Sequence, residues 1–303
     1  MFRQGRRGFV FAFLAAPVLL YTVYVVSPYL QAFRIAVTDW HGVSTEPRFV
    51  GLANFARLLG DETFWTALAH NGVLLVVVPV VTIAIGLLFA HLLTSGGRGS
   101  GVAGSRFYRV VLFLPQVLAV AVVAVLFQSV LKPGRGGLVN GPLTALGLTP
   151  VGFLTDPRLA LWTVAGVLVW QSTGFYVVLF SAAMASIPPE LYEAARLDGA
   201  SGPRLFFRVT LPLIWDSIQV AWVYLGIAAF DAFTLVWVLT ADHGGPDRAT
   251  IVLATEVYRN AFVYSKFGYA SALGVALFFL TTTFAVLVLR FTRREDTEYR
   301  GGA

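Results

Sequence analysis

The chain has 303 residues, 57% of them hydrophobic and 13% charged, with a mean hydropathy of +0.75 and a formal net charge of +6. Soluble domains average about 25% charged residues, so this composition belongs to a multispanning membrane protein, and the arginines are dispersed among apolar runs rather than gathered on one face as a nucleic-acid surface requires. There are no cysteines, which excludes disulfides and thiolate chemistry; the four histidines lack ligand spacing, and neither Lys132 nor Lys266 completes a phosphate-binding loop, so no metal or nucleotide site is expected.

Arg3, Arg6 and Arg7 precede an apolar run over 9–33, longer than the core of a cleaved signal peptide and long enough to cross a bilayer. It reads as an uncleaved first span behind a cytoplasmic tail, 1–8, by the positive-inside rule. Segment 35–66 carries Asp39, Trp40, Glu46, Asp61 and Glu62, too many charges for hydrocarbon, and is placed outside. Within it, FVGLANFARLLGDETFW has the pattern of an amphipathic interfacial helix with aromatic anchors. A second span covers 67–93 with Pro79 inside it, and a flexible Gly/Ser-rich loop follows at 96–106 on the cytoplasmic side.

Span three runs over 110–131 and leads into an external loop dense in turn signals, from Gly134 to Asp156-Pro157. Span four, 159–183, holds a polar cluster, Trp170, Gln171, Ser172 and Thr173. Span five, 211–239, has Asp231 well inside it; the Gly-Pro-punctuated external loop 240–250 follows, and span six, 270–291, leads to the basic C-terminal tail, 292–303. Six crossings place both termini in the cytoplasm.

Between spans four and five, the cytoplasmic segment 184–210 is built to fold. Pro188-Pro189 stop the preceding helix, the residues from Glu190 are good helix formers, and Leu191, Ala194, Ala195 and Asp198 share a face. Gly199 stands where a helix ends with positive φ, and Ser201-Gly202-Pro203 turns the chain into a second short helix from Arg204. Phe206 and Phe207 beside Arg204 and Arg208 give this helix-turn-helix knob the apolar anchors and charge of a docking surface; the plain alternative is an ordinary loop between spans.

The stretch EAARLDGASGPRLFFRVTLP resembles the E-A-A-x-x-x-G-x9-I-x-L-P signature of permease subunits in binding-protein-dependent ABC importers: Glu193, Ala194, Ala195, Gly199, Leu211 and Pro212 match, and Val209 stands at the isoleucine position. Segments 49–65 and 267–272 and the Gly-Gly-Pro at 244–246 are similar to carbohydrate-uptake permeases of the maltose or glycerol-phosphate type. The resemblance implies an all-α polytopic membrane protein with the type I permease fold, six transmembrane helices and a cytoplasmic coupling loop, resident in the inner membrane. It further implies that Glu193, Ala194, Ala195, Asp198, Gly199, Leu211 and Pro212 couple the chain to two ATPase subunits. ATP and magnesium would then sit on those partners and no cofactor on this chain. The remaining implied partners are a second homologous permease, an extracytoplasmic solute-binding protein and a carbohydrate or related polyol.

A sugar pathway needs hydrogen-bonding groups for hydroxyls and aromatic faces for C–H surfaces. Trp170, Gln171 and Tyr176 on span four supply these types, and Ser217, Tyr224 and Asp231 recur every seven residues on span five. Packing between helices is the alternative for each. Two other functional classes compete: a self-contained secondary carrier, disfavoured by the absence of a visible repeat, and an intramembrane lipid-modifying enzyme, for which Asp231 and Gln171 are the only candidate groups, so no catalytic residue is assigned.

Overall fold

A computed structural model describes residues 3–42, 47–94 and 104–292. Most of the Gly/Ser-rich loop, Glu46, Arg293, Arg294 and the C-terminal tail lie outside the described residues. Among those described, the regular elements are helices, and the only strand-like pairing is an isolated bridge between Thr38 and Phe49.

Helices α1 (Arg3–Tyr21) and α2 (Ser27–Ala36) are joined by a π-helical turn, Thr22–Val26, into the first span. The short α3 (Ala53–Leu59) leads to α4 (Glu62–Thr94), whose 33 residues extend about 50 Å at 1.5 Å per residue, well beyond a hydrocarbon core of about 30 Å. Glu62 through Thr66, read from sequence as part of the polar segment before the span, already belong to the helix.

Spans three and five differ from the straight helices expected. Helices α5 (Ser105–Val117) and α6 (Val120–Val130) meet at 99°. Pro115 lies in the last turn of α5, and Leu118 and Ala119 are extended, with ψ of 138° and 137°. After the small α7 (Asn140–Ala145), α8 (Pro157–Ala185) starts on an Asp156 cap that accepts from the Arg158 N–H at 2.9 Å, with proline at the first position. Helix α9 (Pro189–Leu197) and the limb containing α10 (Pro203–Leu205) and α11 (Leu211–Leu213) form the knob, and this limb bends by 70° into α12 (Trp215–Phe230). Asp231 and Ala232 then leave the helix before α13 (Phe233–Leu239). Asp231 is thus exposed at a helix break and not at a helix centre. Helices α14 (Leu253–Tyr258) and α15 (Phe267–Thr292) complete the chain. Among the described residues four helices are unbroken candidate spans, and the number rises to six if each of the two bent pairs is one span.

The chain divides into two compact units. The unit of Met1–Trp65 and Glu256–Phe279 has a small core of Ala36, Ala272 and Val275, flanked by Phe33 and Phe55. Buried Asn54 donates to the carbonyls of Ala36 and Thr38 at 2.8 and 2.9 Å, fixing α3 against the exit of α2. The unit of Thr66–Thr255 and Leu280–Ala303 holds the larger core, in which Leu74, Val123, Val164, Phe180, Leu225 and Val236 are buried. Close approach is bought by glycine at Gly174, where a Cβ would strike the backbone carbonyl of Leu112 on α5.

Candidate functional site

The knob begins where Ser186 caps α8, its hydroxyl donating to the Ala183 carbonyl at 2.8 Å, and buried Ile187 leads to an extended Pro188. Pro189 then opens α9 at its first position, where the missing N–H costs nothing. The helix ends as its sequence dictates. Gly199 has φ +81°, the Ala200 N–H donates to Ala195 at 2.9 Å, and the Gly199 N–H donates to Arg196 at 3.0 Å. These two bonds make a Schellman motif. Gly202, at φ +48°, turns the chain again into Pro203, so the second helix starts one residue before Arg204.

The inner side of the knob is fastened to the bundle. Tyr192, Phe206 and Leu211 pack against the larger core, the Phe206 ring lies 4.8 Å from that of His91 on α4, and the Tyr192 hydroxyl is 3.2 Å from that of buried Thr210. Its outer side carries Leu191, Glu193, Ala194, Leu197 and Asp198, all exposed, with Leu197 at 90%. Leu197 thus stands open between Arg196 and Asp198 on a helix pinned from behind by Tyr192 and Phe206. The expected coupling residues therefore separate: Glu193, Ala194, Asp198 and Gly199 face outward, Ala195 is half-buried, and Leu211 and Pro212 are half-buried at the base of the return limb.

The six pathway candidates also separate. Gln171 is buried, and its Nε2 donates to the Leu118 carbonyl at 3.2 Å, so it holds a group released by the α5–α6 break. Tyr176 is buried beside Phe180, facing Gly86. Trp170 is half-exposed and makes an edge contact with Phe127 of α6 at 5.0 Å. On α12 the seven-residue stripe opens progressively: Ser217 is half-buried, Tyr224 is 65% exposed and Asp231 is exposed at the break. One member of each set comes together, the Tyr176 and Tyr224 hydroxyls lying close enough to interact electrostatically. A groove of about 540 Å³ beside Trp170 and Thr173 is walled almost wholly by apolar side chains, among them Ile85, Phe89, Leu114 and Val169.

Two further amides emerge that the sequence reading passed over. Gln128 on α6 donates to the Val238 carbonyl at the end of α13, and Asn71 on α4 donates to the Ala229 carbonyl at the end of α12. Their signal was an amide inside an otherwise apolar run, where an unpaired polar group is too costly to be idle.

Residues 82–296 match the family model described as the inner membrane component of binding-protein-dependent transport systems. The diacetylchitobiose uptake system permease protein of Streptomyces coelicolor is 40% identical over 295 residues, covering 95% of this chain and 83% of that protein. The multiple sugar-binding transport system permease protein of Streptococcus mutans is 29% identical, covering 93% and 94%. In fold, the chain is similar to a subunit of a bacterial ABC transporter that imports the acidic polysaccharide alginate, with a TM-score of 0.83, 23% identity and coverage of 96% and 97%.

Proposed function

The chain belongs to the family of inner membrane components of binding-protein-dependent transport systems, and from that premise we propose that it is the permease subunit of an ABC importer that moves a carbohydrate inward. Its function is transport and not chemistry on the solute. The observation that carries the carbohydrate assignment is the 40% identity, nearly end to end, to a diacetylchitobiose uptake permease.

On this reading the outer face of α9 docks a cytoplasmic ATPase subunit, with Leu197 as the apolar anchor and Glu193, Ala194 and Asp198 around it. Gly199 sets the angle of the knob, while Leu211 and Pro212 carry its displacement into the bent limb and α12. A compact knob pinned by Tyr192 and Phe206 can transmit a rigid-body motion that a loose loop would absorb. The open stripe Ser217, Tyr224 and Asp231 becomes one wall of the pathway, completed by a second homologous permease. Trp170 stands on the other candidate wall, whereas Gln171 and Tyr176 maintain the helices behind it. Two ATPase subunits hold ATP and magnesium, a solute-binding protein delivers from outside, and both termini of the six-helix domain, 9–291, are cytoplasmic.

The test is co-purification with associated subunits and reconstitution into liposomes, with ATP inside and diacetylchitobiose, other oligosaccharides and polyols offered outside with the binding protein. Solute accumulation that requires ATP supports the assignment. Accumulation by the permease chains alone, driven by an ion gradient, would make it a secondary carrier.

A further inference from the structure

Asn71 is fully buried on α4 and grips two segments that are remote in sequence. Its Nδ2 donates to the Ala229 carbonyl at 2.9 Å, and its Oδ1 accepts from the Leu253 N–H at 2.8 Å. Ala229 lies in the last turn of α12, where carbonyls lose their helical partners, and Leu253 supplies the first N–H of α14, which has none inside its helix. The single side chain therefore bridges a broken helix end and a helix start. Its neighbour His70 adds a second hold on the same segment, Nδ1 lying 2.8 Å from the Ile251 carbonyl.

Both ends of this bridge lead to features with functional weight. Two residues beyond Ala229 is Asp231, exposed in the break. Just before Leu253 lies the loop 240–250, which is strained yet tightly cross-linked. Asp242, His243, Asp247 and Arg248 all have φ between 50° and 61°, a region side-chain-bearing residues seldom occupy. His243 stacks on Trp237 at 4.0 Å, and the Thr250 N–H donates to the Gly244 carbonyl at 2.9 Å. Ile251, Val252 and Leu253 are fully buried beneath it. A loop held this way shifts as a body, and the Asn71 amide is a direct polar link from its base to the break.

We propose that Asn71 is a positioning residue for transport: a crossbar that holds the broken end of α12, and with it Asp231, in register with the external loop. The proposal rests on the reading of Asp231 as a pathway residue for its functional meaning, but the crossbar itself is measurable without it. An amide is needed because one end must donate and the other accept. Protonated aspartate reproduces both functions at the same shape, its O–H donating to Ala229 and its carbonyl accepting from Leu253; ionised aspartate only accepts.

The experiment uses the assembled transporter in proteoliposomes, with Asp231→Cys as the sole thiol of this chain, which has no cysteine, and labelling is read on the band of this chain. The rate of modification by an impermeant thiol reagent is measured from pH 5.5 to 8.5 with Asn71 intact, Asn71→Leu or Asn71→Asp, each rate divided by that of the intact background at the same pH. That ratio removes the titration of the thiol itself and of His70, Asp242, His243, Asp247 and Arg248, which all three proteins share. Asn71→Leu is expected to raise the ratio at least threefold throughout. Asn71→Asp is expected to stay near unity at low pH and climb toward the leucine value as it ionises. Equal ratios in all three proteins, or an aspartate variant flat with pH, would overturn the crossbar, as would a cysteine at 231 that never reacts. Should Asn71→Leu fail to accumulate, the pH contrast in Asn71→Asp decides alone. If the ratios behave as expected but Asp231→Asn transports normally, the pathway role of Asp231 fails while the crossbar stands.

Discussion

The Tyr269 hydroxyl donates a 2.6 Å hydrogen bond to Asp61, tying the first turn of α15 to the residue that opens α4. The Thr63 N–H donates to the same carboxylate at 2.9 Å, and the Arg57 guanidinium lies 5.0 Å above the Tyr269 ring. Burial raises the Asp61 carboxyl, but the bonds from Tyr269, Thr63 and Phe64 outweigh it and hold it below the usual carboxylate range. A group whose folded pKa is depressed contributes stability that is present above its unfolded value of about 3.9 and disappears as the pH falls through the folded value. Thermal unfolding in detergent should show this loss at acid pH. Tyr269→Phe should cost about 1.5 kcal/mol at neutral pH, the lower end for a bond to a charged group because Asp61 is partly solvated, and should flatten the acid limb. An acid limb identical to wild type would remove Asp61 from the account.

Charge reversal at Glu193 to Lys, or Gly199→Asp, should leave the bundle inserted and separate it from the ATPase. Glu193 is exposed, so its substitution disturbs no core, whereas aspartate at φ +81° costs about 1–2 kcal/mol locally and tilts the knob. Membrane abundance near wild type, with at least tenfold less co-purified ATPase and uptake, is the expected pattern. Normal uptake in both variants would end the docking role.

Gly174→Leu should be strongly damaging, because Gly174 is buried and any Cβ there meets the Leu112 carbonyl and drives α5 from α8. Overpacking of this kind costs about 1–3 kcal/mol or more. The variant should accumulate poorly at every growth temperature tested, while Gly166→Ala, which meets nothing nearby, should accumulate normally.

Asp231→Asn keeps shape and one acceptor but removes charge. A carboxylate facing hydrocarbon is penalised by about 2.5 to 3.5 kcal/mol on insertion scales, so its exposure within this chain calls for water, solute or a partner beside it. Reduced uptake with normal abundance is expected; reduced complex assembly with normal abundance of the single chain would mark an interface instead.

Single cysteines placed at Gly136, Gly202 and Gly245 test the orientation, each being unique in a chain without cysteine. Labelling from outside at Gly136 and Gly245 but not at Gly202 is expected. Labelling at Gly202 would put the knob out of reach of any cytoplasmic ATPase.

Local chemistry made much of this legible in advance. Pro188-Pro189, Gly199 and Gly202-Pro203 determine the knob through backbone restrictions that act within a few residues, and the turns were read to within one position. Apolar runs likewise located α4, α8 and α15. The 99° bend at Leu118-Ala119, the 70° bend at Ile214 and the break at Asp231-Ala232 were not legible, since none of these residues is itself a strong breaker and hydropathy is the same for a straight or a broken span. The Leu118 carbonyl at the first and the Ala229 carbonyl beside the last are held by Gln171 and Asn71, 53 and 158 residues away, and no pattern within one helix reports such a bond. Gln171 read as a solute ligand for the same reason: a buried amide advertises a partner without saying which.

The α5–α6 bend sets an order of events during synthesis. At 13 and 11 residues the two halves are about 20 and 16 Å long, and neither alone crosses about 30 Å of hydrocarbon. The Leu118 carbonyl waits for Gln171, made 53 residues later, and Gly174 must arrive before α8 can lie against Leu112. The polar closure of the bend is therefore complete only once α8 has been made and lies against α5, so the first half of the chain depends on the second for its final shape.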